Sequence, residues 1–168
     1  MKFAASCLAA CALAGPALAR APAPVRPVAA SLYSGRWWDV AHTPNSRQKN
    51  CHAPTSDFTG GNGAAFSIVQ TCHKGSANGP AEVFRAKGRI VAGSANAKFK
   101  IAFLGGLISQ EYWILDHAPD GRWAIMATPG GHYVWLLSRV PALEAATRAV
   151  ALRRISALGY DVGRLKPR

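Results

Sequence analysis

Two Cys-His dipeptides, Cys51-His52 and Cys72-His73, carry the side chains whose types and spacing could do chemistry. Together they offer two thiols and two imidazoles, a ligand set that zinc accepts. Neighbouring residues on a strand point to opposite faces, so neither dipeptide can chelate an ion from one side. The remaining alternatives are a Cys51–Cys72 disulfide or two unpaired thiols. We predict the disulfide and no metal site.

The two cysteines flank the glycine-rich turn Gly60-Gly61-Asn62-Gly63. In a regular hairpin centred between Gly61 and Asn62, Cys51 and Cys72 lie directly opposite each other. Opposite residues have Cβ atoms about 4.5–5.5 Å apart, so a modest shift permits a disulfide. Pro54, or a bulge near it, would move this register by one residue.

The rest of the chain offers few groups for catalysis. It contains only eight Asp and Glu residues, and it lacks a Ser-His-Asp arrangement or a glycine-rich phosphate loop. His42, His117 and His132 show no metal-ligand spacing. We therefore predict that the protein is not an enzyme and uses no cofactor.

Short strands must position these residues, because apolar and polar side chains alternate through most of the chain. In one such run Phe84 and Ile90 share one face, whereas Arg85, Lys87 and Arg89 share the other. Glycine, proline and asparagine turns separate the runs. The predicted strands are 35–43, 51–59, 64–73, 82–91, 97–104, 110–116, 122–128 and 132–139.

Eight antiparallel strands in meander order close into an up-and-down barrel that can hold one small ligand. After Arg139 the hydrophobic period changes, and Leu143, Val150 and Leu158 fall on one helical face. The predicted fold is therefore all-β, an eight-stranded antiparallel barrel with one C-terminal α-helix, 142–158, packed outside.

The N-terminal region has the pattern of an exported protein. Residues 1–19 combine a positive start, an apolar run and the small-x-small site Ala17-Leu18-Ala19, which together predict a cleavable signal peptide. Leu8-Ala9-Ala10-Cys11 also resembles a lipobox. Residues 20–32, rich in Ala and Pro, predict a linker. We expect a periplasmic domain, 33–168, or alternatively an outer-membrane lipoprotein attached through Cys11.

The formal net charge is +12, from 20 Lys and Arg against eight Asp and Glu. Such a charge favours contact with polyanions. An exported protein rarely meets a genome, so we predict no nucleic-acid partner. Anionic membrane surfaces and lipopolysaccharide are better candidates, and the alternative is a solvated cationic surface.

Two end motifs carry a family resemblance. The segment Gly35-Arg36-Trp37-Trp38-Asp39-Val40-Ala41 resembles the first strand of lipocalins, which holds a Gly-x-Trp motif. Tyr133-Val134-Trp135-Leu136-Leu137-Ser138-Arg139 resembles their last strand, which ends in arginine. Segments 99–103 and 111–116 are similar to middle strands of the bacterial outer-membrane lipocalin and apolipoprotein D branch. The resemblance spans roughly residues 33–163.

The resemblance implies that Arg139 lies across the Trp37 indole and closes one end of the barrel, where a desolvated contact contributes about 2 kcal/mol. Gly35 would allow the tight turn into the first strand. The chain departs from the family pattern at Ala118 and Gly121, where relatives carry Asp and Tyr.

Successive side chains on a strand point alternately into and out of the barrel, an alternation that we call strand parity. Strand parity and the resemblance together predict an inward-facing aromatic cup. On the first strand Trp37, Asp39 and Ala41 are expected to share a face, and Gln70 replaces an asparagine often found in relatives. On the sixth strand the sequence does not decide which side chains face the interior, either Trp113 or the pair Tyr112 and Ile114. The candidate ligand-binding residues are Asp39, Phe66, Ile68, Gln70, Phe84, Ile90, Phe99, Ile101, Phe103, Tyr112, Trp113, Tyr133, Trp135 and Leu137.

The resemblance implies that the protein binds and carries a small hydrophobic ligand, such as a fatty acid, a lysophospholipid or a similar lipid. One alternative is a cationic module with a filled barrel that binds lipopolysaccharide or anionic lipid. The other is a lipocalin-type isomerase or synthase.

Overall fold

The structure is a computed structural model that describes residues 20–60 and 64–167. The predicted signal peptide, with the Cys11 lipobox, lies outside the described residues. The same holds for 61–63, the centre of the glycine-rich turn.

Eight antiparallel strands form a closed barrel, as predicted. Each strand pairs with the next along the chain, and the first strand pairs with both the second and the eighth. A two-residue ninth strand pairs with the first. The strands are β1 Gly35–His42, β2 Cys51–Thr59, β3 Ala65–Lys74, β4 Ala81–Ile90, β5 Lys98–Phe103, β6 Ile108–His117, β7 Trp123–Ala127, β8 Val134–Ser138 and β9 Lys166–Pro167.

One α-helix, α1 (Ala145–Ala157), packs on the outside of the barrel, as predicted. Its Ala151 and Ile155 are fully buried in an outer cluster that includes Trp123 and Leu136. The predicted face is wrong at Val150, which is 41% exposed, because the helix turns the side of Ala151 and Ile155 to the barrel. No helix among the described residues is long and apolar enough to cross a membrane. Short 3-10 helices occupy Ala30–Tyr33, Ser46–Gln48, Leu104–Gly106 and Val162–Arg164.

A bulge in β1 changes which side chains face the interior. Asp39 lies opposite Leu137, but Ala41 lies opposite Leu136, so Val40 is the extra residue. Leu137 belongs to the inner cluster, and Ala41 and Leu136 belong to the outer one. The expectation that Ala41 shares the inner face is therefore wrong, because the bulge inverts the parity of the strand after Asp39.

A second bulge, in β6, decides the face that the sequence leaves open. Ile114 pairs with Met126, and Asp116 pairs with Ile125, which leaves Leu115 as the extra residue. Ile114 packs in the inner cluster with Tyr112 beside it. Trp113 packs with the outer cluster.

The segment 20–32, expected to be a linker, runs along the barrel wall. Three of its backbone N–H groups donate hydrogen bonds to backbone carbonyls of the barrel. Ala21 donates to the carbonyl of Pro129, Val25 to that of Leu115 and Val28 to that of Ala95. Ala21 and Val28 are buried. Because its side chains are small and apolar, this segment lies close to the barrel. Its backbone N–H groups therefore form hydrogen bonds with backbone carbonyls of the barrel.

Aromatic rings close the barrel at the end where β1 begins. Tyr33 stacks on Phe66 at a centroid distance of 5.3 Å and meets Phe99 edge-on at 5.4 Å. Gly88 lies opposite Phe66, and a Cβ there would fall 2.2 Å from the Phe66 ring. Tyr33 donates its hydroxyl to the carbonyl of Asn96. This end of the barrel is therefore packed solid.

Trp37 and Arg139 meet at this closed end. The Arg139 guanidinium carbon lies 3.7 Å from the centroid of the Trp37 ring. The Trp37 indole N–H donates to the carbonyl of Leu32 at 2.9 Å. Arg139 Nη1 donates to the carbonyl of Ser34 at 2.7 Å. Gly35 has a φ of 67°, which a glycine adopts without strain.

Candidate ligand-binding cavity

A cavity of about 400 Å³ occupies the other half of the barrel, above the aromatic plug. Its floor includes Phe58 and Phe99, and its walls come from most of the strands. The 3-10 helix Ser46–Gln48, in the loop between β1 and β2, lies at its mouth. Cavities of this size and apolar character typically take small molecules.

Ten of the fourteen candidate ligand-binding residues line this cavity. The alternation of inward and outward side chains along the strands places them there. They are Asp39, Ile68, Gln70, Phe84, Phe99, Ile101, Phe103, Tyr112, Trp135 and Leu137.

Phe66 and Ile90 face inward but lie in the closed-end core, not along the cavity. Phe66 is 4% exposed and packs against both Tyr33 and Phe99. Strand parity identifies a side chain as inward but does not give its height in the barrel. Tyr33, which precedes the first strand, enters this end and completes the plug.

Trp113 and Tyr133 do not face the cavity. Trp113 lies on the outer wall, where the Lys98 ammonium sits 4.0 Å from its ring. Tyr133 precedes β8, so the alternation of that strand does not extend to it. The residue is 39% exposed, and its ring centroid lies 6.1 Å from that of Trp135.

Three residues of the β1–β2 loop line the cavity, and the sequence did not single them out: Asn45, Arg47 and Gln48. The Asn45 side chain accepts from the backbone N–H of Gln48 at 3.0 Å and so caps the short helix. The Arg47 guanidinium carbon lies 5.4 Å from the Phe103 ring. An N-cap asparagine before two long polar residues is the only local signal of this arrangement.

Gln48 connects the loop to the inside of the barrel. Its amide oxygen accepts from the Trp135 indole N–H at 2.9 Å and from Asn45 Nδ2 at 2.6 Å. Its amide nitrogen donates to Asp39 Oδ2 at 2.6 Å. The loop is therefore held over the cavity by hydrogen bonds to two different strands.

Burial raises the pKa of Tyr112, and the positive charge of Arg47 partly opposes that rise. The phenol therefore stays neutral at physiological pH. It offers the cavity a hydroxyl beside an otherwise apolar wall formed with Phe99, whose ring stacks on it at 5.5 Å.

The predicted disulfide is confirmed, since Cys51 and Cys72 are bonded with their Cα atoms 5.3 Å apart. The predicted register is wrong, because Cys51 lies opposite Lys74. The pairing shifts between His52 and Thr55, where Ala53 has a positive φ of 45°. A bulge there and a longer turn bring the two cysteines together diagonally rather than directly.

Both cysteine sulfurs are used in that bond, and both residues line the cavity. Within 20–60 and 64–167, no group of three or more His, Cys, Asp or Glu side chains could hold a metal ion.

Comparisons with known proteins agree with this architecture. The sequence model of the lipocalin-like domain matches residues 28–168. Outer membrane lipoprotein Blc of Vibrio cholerae is 25% identical over 149 residues, covering 86% of this chain and 85% of the relative. Temperature-induced lipocalin-1 of Arabidopsis thaliana is 25% identical over 138 residues, covering 79% and 74%.

Among solved structures, insecticyanin from the tobacco hornworm Manduca sexta matches with a TM-score of 0.68 at 20% identity. The match covers 86% of this chain and 82% of insecticyanin. Because the domain model spans most of the sequence and the barrel has the same fold, this chain belongs to the lipocalin family.

Proposed function

We propose that this protein binds and carries a small hydrophobic ligand, a fatty acid, a lysophospholipid or a similar lipid. The observation that carries the proposal is the 400 Å³ cavity, which aromatic and aliphatic side chains line above a sealed floor. Its volume lies within the range of about 300–1,000 Å³ typical of small-molecule sites. Lipocalins bind small hydrophobic ligands, which agrees with this geometry.

The cell envelope is the proposed location, either the periplasm or the outer membrane. The signal pattern of residues 1–19 supports export. The similar protein of Vibrio cholerae is named an outer membrane lipoprotein, which supports the same compartment. The disulfide is compatible with an oxidising envelope.

We further propose that the cavity binds its ligand without chemical conversion. Proteins with this fold generally bind or transport ligands. The two cavity cysteines are bonded to each other, so neither thiol is available as a nucleophile.

Trp135→Ala should weaken lipid binding by roughly 1–3 kcal/mol, the value for burying one large apolar side chain. Trp135 lines the cavity, and its indole N–H is already donated to Gln48. We therefore expect its contribution to lipid binding to come from the apolar ring. A fluorescence titration with hexadecanoate, a lysophospholipid and retinol measures the change.

Trp113→Ala and Trp38→Ala are the matched controls, since both indoles pack with the outer cluster. We expect each to leave affinity within a few tenths of a kcal/mol of wild type, as for independent sites. Equal losses in all three variants would contradict the assignment. So would failure of wild type to bind any of these lipids below about a hundred micromolar, a free energy near 5.5 kcal/mol.

A second candidate function is attachment to an anionic surface, which the outer face of β4 favours. Arg85, Lys87 and Arg89 are exposed there, and none has an ion-pair partner within the described part of the chain. Lys98 and Lys100 extend this positive surface onto β5. Basic residues near an anionic membrane contribute about 1 kcal/mol each.

The double variant Lys87→Gln, Arg89→Gln should therefore lose roughly 2 kcal/mol of affinity for vesicles rich in phosphatidylglycerol. Co-sedimentation at low and high salt measures it. Arg148→Gln with Arg153→Gln, on α1, is the control that removes the same charge elsewhere. If both doubles weaken binding equally, net charge and not the β4 surface drives the contact.

A further inference from the structure

One cationic side chain stands at the mouth of the cavity without an opposite charge. Arg47 belongs to the 3-10 helix Ser46–Gln48, is exposed and lines the cavity. Its guanidinium carbon lies 5.4 Å from the centroid of the Phe103 ring, which lines the cavity as well. Among residues 20–60 and 64–167, Arg47 has no ion-pair partner. Its guanidinium is therefore accessible to a charged group that lies at the cavity mouth.

The two other charged residues of the cavity wall already have partners. Asp39 Oδ2 accepts a hydrogen bond from the Gln48 amide at 2.6 Å. Glu82 Oε2 lies 2.6 Å from Lys74 Nζ, with which it forms an ion pair. Arg47 is therefore the charged side chain of this wall that the described residues leave without such a partner.

The neighbours of Arg47 in the loop fix its position. The Asn45 side chain accepts from the backbone N–H of Gln48 at 3.0 Å, which closes the turn around Arg47. The Gln48 side chain accepts from the Trp135 indole N–H at 2.9 Å and donates to Asp39 at 2.6 Å. The backbone that carries Arg47 is therefore anchored to β1 and β8 without a ligand, and such preorganisation lowers the entropic cost of binding.

An apolar wall begins next to the charge of Arg47. The Phe103 ring beside it stacks on Phe84 at a centroid distance of 5.4 Å, and both rings line the cavity. The charge also acts on the cavity wall at Tyr112, because it opposes the rise that burial causes in the pKa of that phenol. A cation at one end of an apolar cavity suits a ligand that combines an anionic group with a hydrocarbon chain.

We propose that Arg47 binds the anionic head group of the ligand, so that the cavity selects lipids with a carboxylate or a phosphate at one end. This inference rests on the proposed lipid-binding function and deepens it. A guanidinium donates two parallel N–H groups to either anion. The head group lies at the mouth, and the hydrocarbon chain lies against Phe103 and the aromatic wall. A neutral ester of the same chain lacks the ion pair and keeps only the apolar contacts.

Dodecanoate and methyl dodecanoate test the proposal, because they share one chain and differ in charge. We expect wild type to bind dodecanoate about fivefold more tightly than the ester, near the upper limit for an exposed ion pair. Arg47→Gln should remove this preference by weakening the binding of dodecanoate. Its affinity for the ester should stay within about twofold of wild type, as for an independent contact. Tryptophan fluorescence titrations measure all four affinities.

Lys49→Gln is the matched control. Lys49 lies in the same loop and is exposed, but it does not line the cavity. The variant therefore removes the same charge two residues away and should keep the wild-type preference for dodecanoate. High salt should reduce that preference in wild type, because exposed charges are screened.

A second anion distinguishes the sources of the head group. A lysophosphatidylglycerol with the same chain carries a phosphate in place of the carboxylate. If Arg47→Gln weakens both anionic ligands, the site accepts either group. If it weakens only one of them, that ligand identifies the source, a free fatty acid or a phospholipid.

Equal affinity of wild type for dodecanoate and its ester would overturn the proposal while leaving lipid binding intact. This comparison needs no variant, so it decides the matter even if Arg47→Gln fails to fold. Equal losses in Arg47→Gln and Lys49→Gln would also overturn it, since net charge would then explain the effect. If wild type binds none of these lipids, the proposed function itself fails, and this inference fails with it.

Discussion

Trp37→Ala is expected to lower the free energy of unfolding by about 3–5 kcal/mol, the range for large-to-small changes in a core. Trp37 is 1% exposed and is the largest fully buried side chain in the described structure. Its removal leaves a cavity next to the aromatic plug and takes away one of the two donors to the carbonyl of Leu32, the other being Arg139 Nη2. Urea unfolding followed by circular dichroism measures the loss.

Arg139→Ala should destabilise the protein less than Trp37→Ala does. The guanidinium contributes the contact over the indole, about 2 kcal/mol when desolvated. It also donates to the carbonyls of Ser34 and Arg36, which hold the chain that enters β1. Burial lowers the pKa of Arg139, and arginine nevertheless stays charged at any physiological pH.

The cavity lies away from this end, so folded Arg139→Ala should bind lipid as wild type does. A variant that lost binding while keeping its melting temperature would show that Arg139 contacts the ligand. That result would overturn the closing role that we assign to it.

The alternation of apolar and polar residues predicts the strands well. Every boundary of the eight barrel strands lies within two residues of its predicted position, whereas the short β9 was not predicted. Outward charges mark the parity clearly in strands such as β4, where Arg85 and Lys87 flank Ala86. Parity can be read there because only one face is apolar.

Parity cannot be read where both faces of the barrel are covered. Val40 and Leu115 are the extra residues of the two bulges, and each has an apolar neighbour on at least one side. The outer face of β1 and β6 packs on α1 and the N-terminal segment, so outward residues there are also apolar. An extra apolar residue does not visibly change the sequence pattern of such a strand. For that reason the predicted alternation places Ala41 on the inner face, whereas it lies on the outer one.

The polar network of the cavity depends on contacts that no local pattern encodes. Gln48 reaches Trp135, which lies 87 residues away along the chain. The segment 20–32 has the composition of a linker, yet Asn96 donates its side-chain amide to Val28 at 3.0 Å. These residues become partners only because the fold brings them close together. Local composition alone does not predict which distant residues will meet.

Removing the disulfide is the second large effect that we expect. Cys51→Ala with Cys72→Ala should lower stability by about 3 kcal/mol, because the bond closes a loop of about twenty residues in the unfolded chain. The bond also spans the bulge between His52 and Thr55, where the β2–β3 ladder loses regular pairing. The effect should therefore concentrate at the open end of the barrel, beside the cavity. Hydrogen exchange of β2 measures the local effect at the open end, and thermal unfolding measures the loss of global stability.

Reduction of the wild-type protein separates the cross-link from the loss of the sulfur atoms. Reduced wild type keeps both side chains, so a fall in stability close to that of the double variant would assign the effect to the bond. Both cysteines line the cavity, so lipid affinity should fall in the reduced protein as well. If the double variant is as stable as oxidised wild type, the bond contributes nothing, and strain in the native state must offset its effect on the unfolded chain. Peptide mapping of the exported protein without reductant should recover Cys51 and Cys72 in one linked fragment, and two free thiols there would contradict the prediction.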